Sequence, residues 1–311
     1  MINRRQLLKT AGAASLATFI PTSAWSAALQ GKADFRFCIN TSTIRGQKPG
    51  LLKYIEIASQ AGYDGIELWV QDVVEYANQG NSLSDLRQII DDSGLTVESA
   101  IGFANWLVDD DDQRKAGFDQ MRKEMQVMAQ LGCKRIAASP AGLKPENSLD
   151  LFKAGERYKQ MIELGHETGV MPQLEFWGAS GTLFHFGQAM MIAATANDPD
   201  ARILADVYHM FRGQSGFDGL TLLSGKVIEI FHMNDYVSTI PREQQQDRDR
   251  VFPGDGVAPM KEILSHLAGM GGTKVLSLEL FNPVYWTRDP LEVAKTGLEK
   301  MKMLVGLLVN N

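Results

Sequence analysis

The chain has 311 residues, 44% hydrophobic and 22% charged, enough for one large core of the size of a single α/β barrel. A net charge of −6 argues against nucleic acid as the main partner, because phosphate binding needs a basic face; a small anionic substrate held by a few local cations stays open. Five His and two Cys are too few for a zinc-finger or disulfide framework, and Cys38 and Cys133, in separate strand-like segments, read as buried free thiols.

Residues 1–28 read as a leader rather than part of the fold. Arg4, Arg5 and Lys9 precede an Ala-rich, weakly apolar stretch from Ala11 to Ile20, then Pro21 and small residues. That is the charged, apolar and cleavage layout of an export signal, and the paired arginines resemble a twin-arginine type. Asn3 and Leu7 depart from the usual pattern of that signal, and cleavage after Ala24 or Ala28 satisfies the small-x-small rule. The apolar stretch is too short for a membrane anchor. The expected location is periplasmic or otherwise exported, a route that carries folded, metal-loaded proteins.

From residue 33 onward, strand-like and helix-like segments alternate. The predicted strands are 35–41, 64–69, 95–101, 134–138, 171–176, 202–207, 227–233 and 274–280. Between them, Phe118, Met121, Met125, Met128 and Leu131 recur at spacings of three and four, the mark of an amphipathic helix over 115–131. A similar stripe runs through Leu151, Phe152, Tyr158, Met161, Ile162 and Leu164 in 148–168. Glycines 62, 94, 132 and 169 stand where helices should stop. Eight strands alternating with helices predict a single (β/α)8 barrel over residues 29–311; a doubly wound open sheet is the alternative. The first strand-to-helix turn, "NTSTIRGQ", lacks the glycine pattern of a dinucleotide site.

Four successive predicted strands end on a metal-ligand type: Glu175 in "QLEFW", Asp206 in "ILADVYH", His232 in "IEIFHMND" and Glu279 in "VLSLELF". In a barrel these ends share one mouth. Three carboxylates and one imidazole suit Mn²⁺, Co²⁺ or Mg²⁺, and also accept Zn²⁺. Trp69, Trp106 and Trp177 fall near strand ends, where they can stack on a sugar face. Residues 236–252, "YVSTIPREQQQDRDRVF", are long for a loop on that face and read as a lid or substrate-contact segment.

Residues 33–306 resemble the xylose isomerase-like barrels, the sugar phosphate isomerase/epimerase group. The resemblance lies in "AGYDGIELW" with Glu67, "LEFW", "DVYH", "HMND", "RVFPGDG" and "LELF", in that order. It implies Glu175, Asp206, His232 and Glu279 as metal ligands. It further implies His209, Arg250 and Glu67 as substrate contacts, joined by Trp69 and Trp177. The interval from His232 to Glu279 is longer than the group's usual one. Sugar phosphates are cytoplasmic, so the leader turns the expectation to an unphosphorylated keto-sugar.

The expected chemistry is proton transfer next to a carbonyl through an enediolate, with Glu175 and Glu279 as base and acid. The alternatives are a lyase that eliminates the aglycone of 3-keto-glycosides and, in another class, an exported sugar-binding protein. A metal-dependent abasic-site nuclease would need more His residues and a basic face. The expected partner is a small carbohydrate, with neither nucleic acid nor a membrane anchor; assembly into a homo-oligomer stays open.

Overall fold

A computed structural model describes residues 33–146 and 148–308; the predicted leader, residues 1–28, lies outside them. Eight strands alternate with helices as β1 (Asp34–Asn40), α1 (Leu51–Ala61), β2 (Gly65–Trp69), α2 (Val70–Asn78), α3 (Leu83–Asp92), β3 (Thr96–Ile101), α4 (Asp111–Gln130), β4 (Arg135–Ala138) and α5 (Leu151–Thr168). They continue as β5 (Met171–Glu175), α6 (Phe186–Ala196), β6 (Ile203–Asp206), α7 (Val207–Arg212), β7 (Ile230–Met233), α8 (Met260–Gly269), β8 (Thr273–Leu278) and α9 (Pro290–Gly306). The spacing-based helix over 115–131 is α4, whose buried side is Met121, Met125 and Met128. Glycines 62, 94, 132 and 169 all take positive φ at or just beyond helix ends, as expected.

All strand pairs are parallel, in the order β3-β2-β1-β8-β7-β6-β5-β4. Because β1 pairs with both β2 and β8, the sheet curls round on itself, and the open-sheet alternative falls. Among the described residues, no ladder joins β3 to β4. Side chains bridge that seam instead: Arg135 Nη1 donates to the Glu98 carbonyl (3.2 Å), and Ser139 Oγ donates to the Gly102 carbonyl (3.1 Å).

Alternation along the strands sets what fills the barrel. At the end where the strands begin, Arg36 and Arg135 grip Glu98, and Arg135 also holds Glu229 (2.8 Å). Next comes a small apolar layer of Cys38, Ile101, Ala137, Leu204, Ile230 and Val275. Two residues further along their strands sit Asn40, Asp206, His232 and Ser277, and beyond Ser277 comes Glu279. The same period that buries Leu204 and Ile230 therefore aims Asp206 and His232 into the mouth. A larger core lies between the outer strand faces and the helices, and Cys38 and Cys133 are both buried and free.

The 236–252 segment is strapped onto the barrel. Asp235 and Val251 form an antiparallel bridge, and the Asp235 carboxylate accepts from the backbone N–H groups of Gly254, Gly256 and Ala258. Buried Gln245 donates to the carbonyls of Val237 and Ile240. Two single 3₁₀ turns, Arg242–Gln244 and Asp247–Asp249, carry the chain back over the mouth. Among the described residues, no helix is long and apolar enough to cross a membrane.

Candidate metal centre

Glu175 ends β5, Asp206 ends β6, His232 lies one residue before the end of β7, and Glu279 follows β8 directly. The ladder puts Asp206 beside His232, and Glu279 N donates to the Met233 carbonyl at 3.1 Å. Asp206, His232 and Glu279 are buried, and each offers a ligand atom within 4.8 Å of the other two.

Each of the three is oriented by a second contact. Asp206 Oδ1 caps α7 by accepting from His209 N (2.7 Å), which leaves Oδ2 facing the centre. Asn234 Nδ2 donates to that Oδ2 at 2.8 Å. His232 Nε2 lies 3.0 Å from Glu67 Oε2, while its Nδ1 points between Glu279 Oε2 (3.3 Å) and Asp206 Oδ2 (3.8 Å). That Nδ1 is buried and has no hydrogen-bond partner. An imidazole with one nitrogen held by a carboxylate and the other aimed at two carboxylate oxygens has the arrangement of a metal-ligating histidine. Two oxygen donors and one nitrogen fit a divalent cation, and the group offers no thiolate.

Arg250 supplies the local positive charge. Its Nη1 donates to Asp206 Oδ2 (3.0 Å) and Glu279 Oε2 (2.8 Å), and Nε and Nη2 donate to Asp247 Oδ1 (3.1 and 2.5 Å). Nη2 also lies 3.2 Å from His209 Nε2. Of these five contacts, four are donations to the carboxylates of Asp206, Glu279 and Asp247. The guanidinium rests between the faces of Tyr208 and Phe281. Burial alone would raise the Asp206 carboxyl, but Arg250, His209 and His232 carry it below the ordinary carboxylate range.

Above this centre opens a cavity of about 370 Å³, lined by Glu175, His209, Asp247, Arg250 and Glu279 and by the rings of Trp69, Phe103, Trp177 and Phe281. Trp69 meets Phe103 edge-on (5.2 Å between centroids), and Phe103 meets Trp177 at 6.3 Å. Gly178 makes the Trp177 loop possible: a Cβ there would come within 2.4 Å of the His209 carbonyl. Burial pushes the Glu175 carboxyl up to about 8; His232 opposes this, and Glu279 adds to it. Burial also holds the His209 imidazole below its usual range, against Asp206 and with the help of the Arg250 cation. Nδ1 of this ring accepts from the Gly178 backbone N–H (3.3 Å), so Nε2 is the nitrogen turned toward Arg250.

The structure places three of the expected residues differently from one another. Glu175, expected as a fourth ligand, lines the cavity but stands outside the group formed by the other three. Glu67, expected at the substrate, is fully buried beneath His232, and its carboxylate accepts from Asn40 Nδ2 (2.9 Å) and Ser277 Oγ (2.8 Å). Burial would raise the Glu67 carboxyl, but His232 and these hydrogen bonds hold it below the ordinary range. Arg250 borders the cavity as expected, yet its donors are turned to the protein's own carboxylates. Trp69 and Trp177 do line the mouth, whereas Trp106 is a core residue that donates to the Ser139 carbonyl. Asn40, Asn234, Ser277, Asp247, Phe103 and Phe281 escaped the sequence reading. Asn40 and Ser277 share the alternation of the inward-facing strand residues, which is the signal that finds them; Asp247 lies in a loop and offers none.

The Xylose isomerase-like TIM barrel model matches residues 55–304. The inosose isomerase of Bacillus licheniformis is 27% identical over 270 residues, 85% of this chain and 95% of that protein. The 3-dehydroshikimate dehydratase of Pseudomonas putida is 23% identical over 274 residues, 86% of this chain but 41% of its own length. A crystal structure of the IOLI protein with a bound zinc atom superposes with a TM-score of 0.81 at 25% identity, covering 89% of this chain and 100% of that one. The chain is an enzyme, and with the model spanning most of its length it belongs to the xylose isomerase-like TIM barrel family.

Proposed function

We propose that this enzyme is a divalent-metal-dependent isomerase or epimerase that moves a proton next to the carbonyl of an unphosphorylated keto-sugar. The observation that carries this reading is one cavity edged by two carboxyls, Glu175 and Glu279, directly over the buried Asp206–His232–Glu279 donor group. Similarity to inosose isomerase supports the same chemistry.

Asp206, His232 and Glu279 would hold the cation. When bound, it supplies the positive charge that polarises a carbonyl and makes the neighbouring C–H bond acidic. Glu175 takes the proton from that carbon as its carboxylate. A carboxyl raised toward neutrality is well matched to both taking and returning a proton. Glu279 is the second acid–base group: in isomerisation Glu175 hands the abstracted proton on to the adjacent carbon, while in epimerisation Glu279 passes a proton drawn from solvent to the opposite face and Glu175 releases its own to solvent. The aromatic rim excludes water from the enediolate, and His209 lines the wall the substrate would lie against. We also place the enzyme outside the cytoplasm, a reading supported by residues 1–28 alone.

Similarity to a dehydratase favours one second reading, in which loss of the same proton expels a group from the next carbon. With a 3-keto-glycoside, that group is the aglycone. Incubation of the Mn²⁺-loaded protein in D₂O with inosose and with a 3-keto-glucoside, followed by NMR, separates the outcomes. Deuterium entering beside the carbonyl supports the isomerase reading, and aglycone release replaces it with the lyase. Glu279→Gln should abolish exchange with the fold intact; normal turnover by that variant would refute the acid–base assignment. A protein that binds keto-sugar yet takes up no divalent metal would be a sugar-binding module.

A further inference from the structure

We propose that the substrate is an uncharged polyhydroxylated ketone, and that Asp247 selects it by accepting a substrate hydroxyl where a carboxylate or phosphate is turned away. This rests on the cavity being the site of proton transfer and adds the class of molecule admitted.

The argument is one of donors and charge. A phosphate or carboxylate needs N–H donors or an uncommitted cation. Among the residues lining the cavity, Arg250 is the cation; four of its N–H contacts go to the carboxylates of Asp206, Glu279 and Asp247, and Nη2 otherwise faces the His209 ring. Its charge is shared among three carboxylates. One cation set against three carboxylates leaves this wall net negative. A divalent cation held by Asp206, His232 and Glu279 would offset part of this charge at the reacting carbons.

Asp247 occupies that rim. One oxygen is fixed by Arg250 Nε and Nη2, which locks the carboxylate in place. The other receives no donor from the protein, and the side chain is 57% exposed toward the cavity opening. The Arg250 cation outweighs the cost of burial and keeps the Asp247 carboxyl ionised. A fixed carboxylate oxygen without a donor is an acceptor for a hydroxyl and a repulsive neighbour for an anion. The residue comes from the 236–252 segment, a loop strapped over the mouth by the Asp235–Val251 bridge, and not from a barrel strand.

The test uses the full chain loaded with Mn²⁺ and measures binding by calorimetry, so turnover is not needed. The probes are inosose, an uncharged polyol ketone, and 3-dehydroshikimate, a cyclic ketone that carries a carboxylate. Inosose should bind at least tenfold more tightly at neutral pH. Asp247→Asn should shrink that preference at least fivefold, chiefly by admitting 3-dehydroshikimate, with metal content unchanged; Asp247→Ser provides a second variant that leaves the rim uncharged. Equal or tighter binding of 3-dehydroshikimate by the unaltered protein, no measurable inosose binding, or an unchanged preference in both variants would overturn the proposal. An intact preference without deuterium exchange on any ketone would instead remove the proton-transfer reading and leave the selectivity standing.

Discussion

Glu175 is buried at the mouth and its carboxyl is raised from 4.5 to about 8, a shift that makes it a measurable load on the metal-free protein. A carboxyl raised in the folded state is ionised more readily in the unfolded chain. Between pH 4.5 and about 8 the unfolded state releases a proton that the folded state keeps, so stability falls as pH rises through that window. At about 1.4 kcal/mol per pH unit, the loss is roughly 3 kcal/mol at pH 7 and under about 1 kcal/mol at pH 5. Glu175→Gln removes the titration while keeping the shape.

Urea unfolding of both proteins in the presence of a chelator isolates this effect from metal binding. The glutamine variant should gain on the parent by about 2–3 kcal/mol more at pH 7 than at pH 5, the size set by the shift. A bound divalent cation favours the carboxylate, so saturating Mn²⁺ should remove most of that gain. An identical stability difference at the two pH values would show that Glu175 is not held protonated in the fold, and the reasoning about its burial would fail.

Two further substitutions probe the groups behind the centre. Glu67→Gln takes the anion from His232 Nε2 and should weaken metal binding about 10–100-fold in equilibrium dialysis, with the circular dichroism spectrum unchanged. An unaltered dissociation constant would show that Glu67 does not support the ligand. Arg250→Met leaves Asp206 and Glu279 without the cation that bridges them, and should cost about 3–5 kcal/mol in chelator. Added Mn²⁺ should recover a large part of that loss, because a ligand bound only by the folded state stabilises it by mass action; parent-like stability of the variant in chelator would contradict the bridging role.

The strands and the donor group were legible in the sequence because both rest on alternation. A strand buried on both faces reads as an apolar run, and the first polar residue after an inward apolar one marks the mouth: Leu204 then Asp206, Ile230 then His232. That rule places a residue on a strand end; it does not say how deep its side chain reaches or what it meets. Glu175 and Glu279 look equivalent in sequence, yet only Glu279 shares the group with Asp206 and His232. Glu67 obeys the same alternation as the ligands, but Asn40, Ser277 and His232 close over it and convert an expected substrate contact into a support.

The polar rim escaped sequence reading for a different reason. Asp247 and Arg250 are three residues apart in a loop with no periodicity, and their roles arise only because the Asp235–Val251 bridge folds that loop back over the barrel. The barrel's alternation can therefore specify the metal chemistry, while the selectivity is set by a segment whose composition, rich in Gln, Arg and Asp, reads as ordinary surface. The two can vary separately: inserting or trimming residues within 236–249 leaves every strand end in place and changes what stands across from Glu175. If so, exchanging this segment for a shorter loop should keep metal binding and alter the preference between inosose and 3-dehydroshikimate, and loss of both together would show that the loop and the centre form one unit through Arg250.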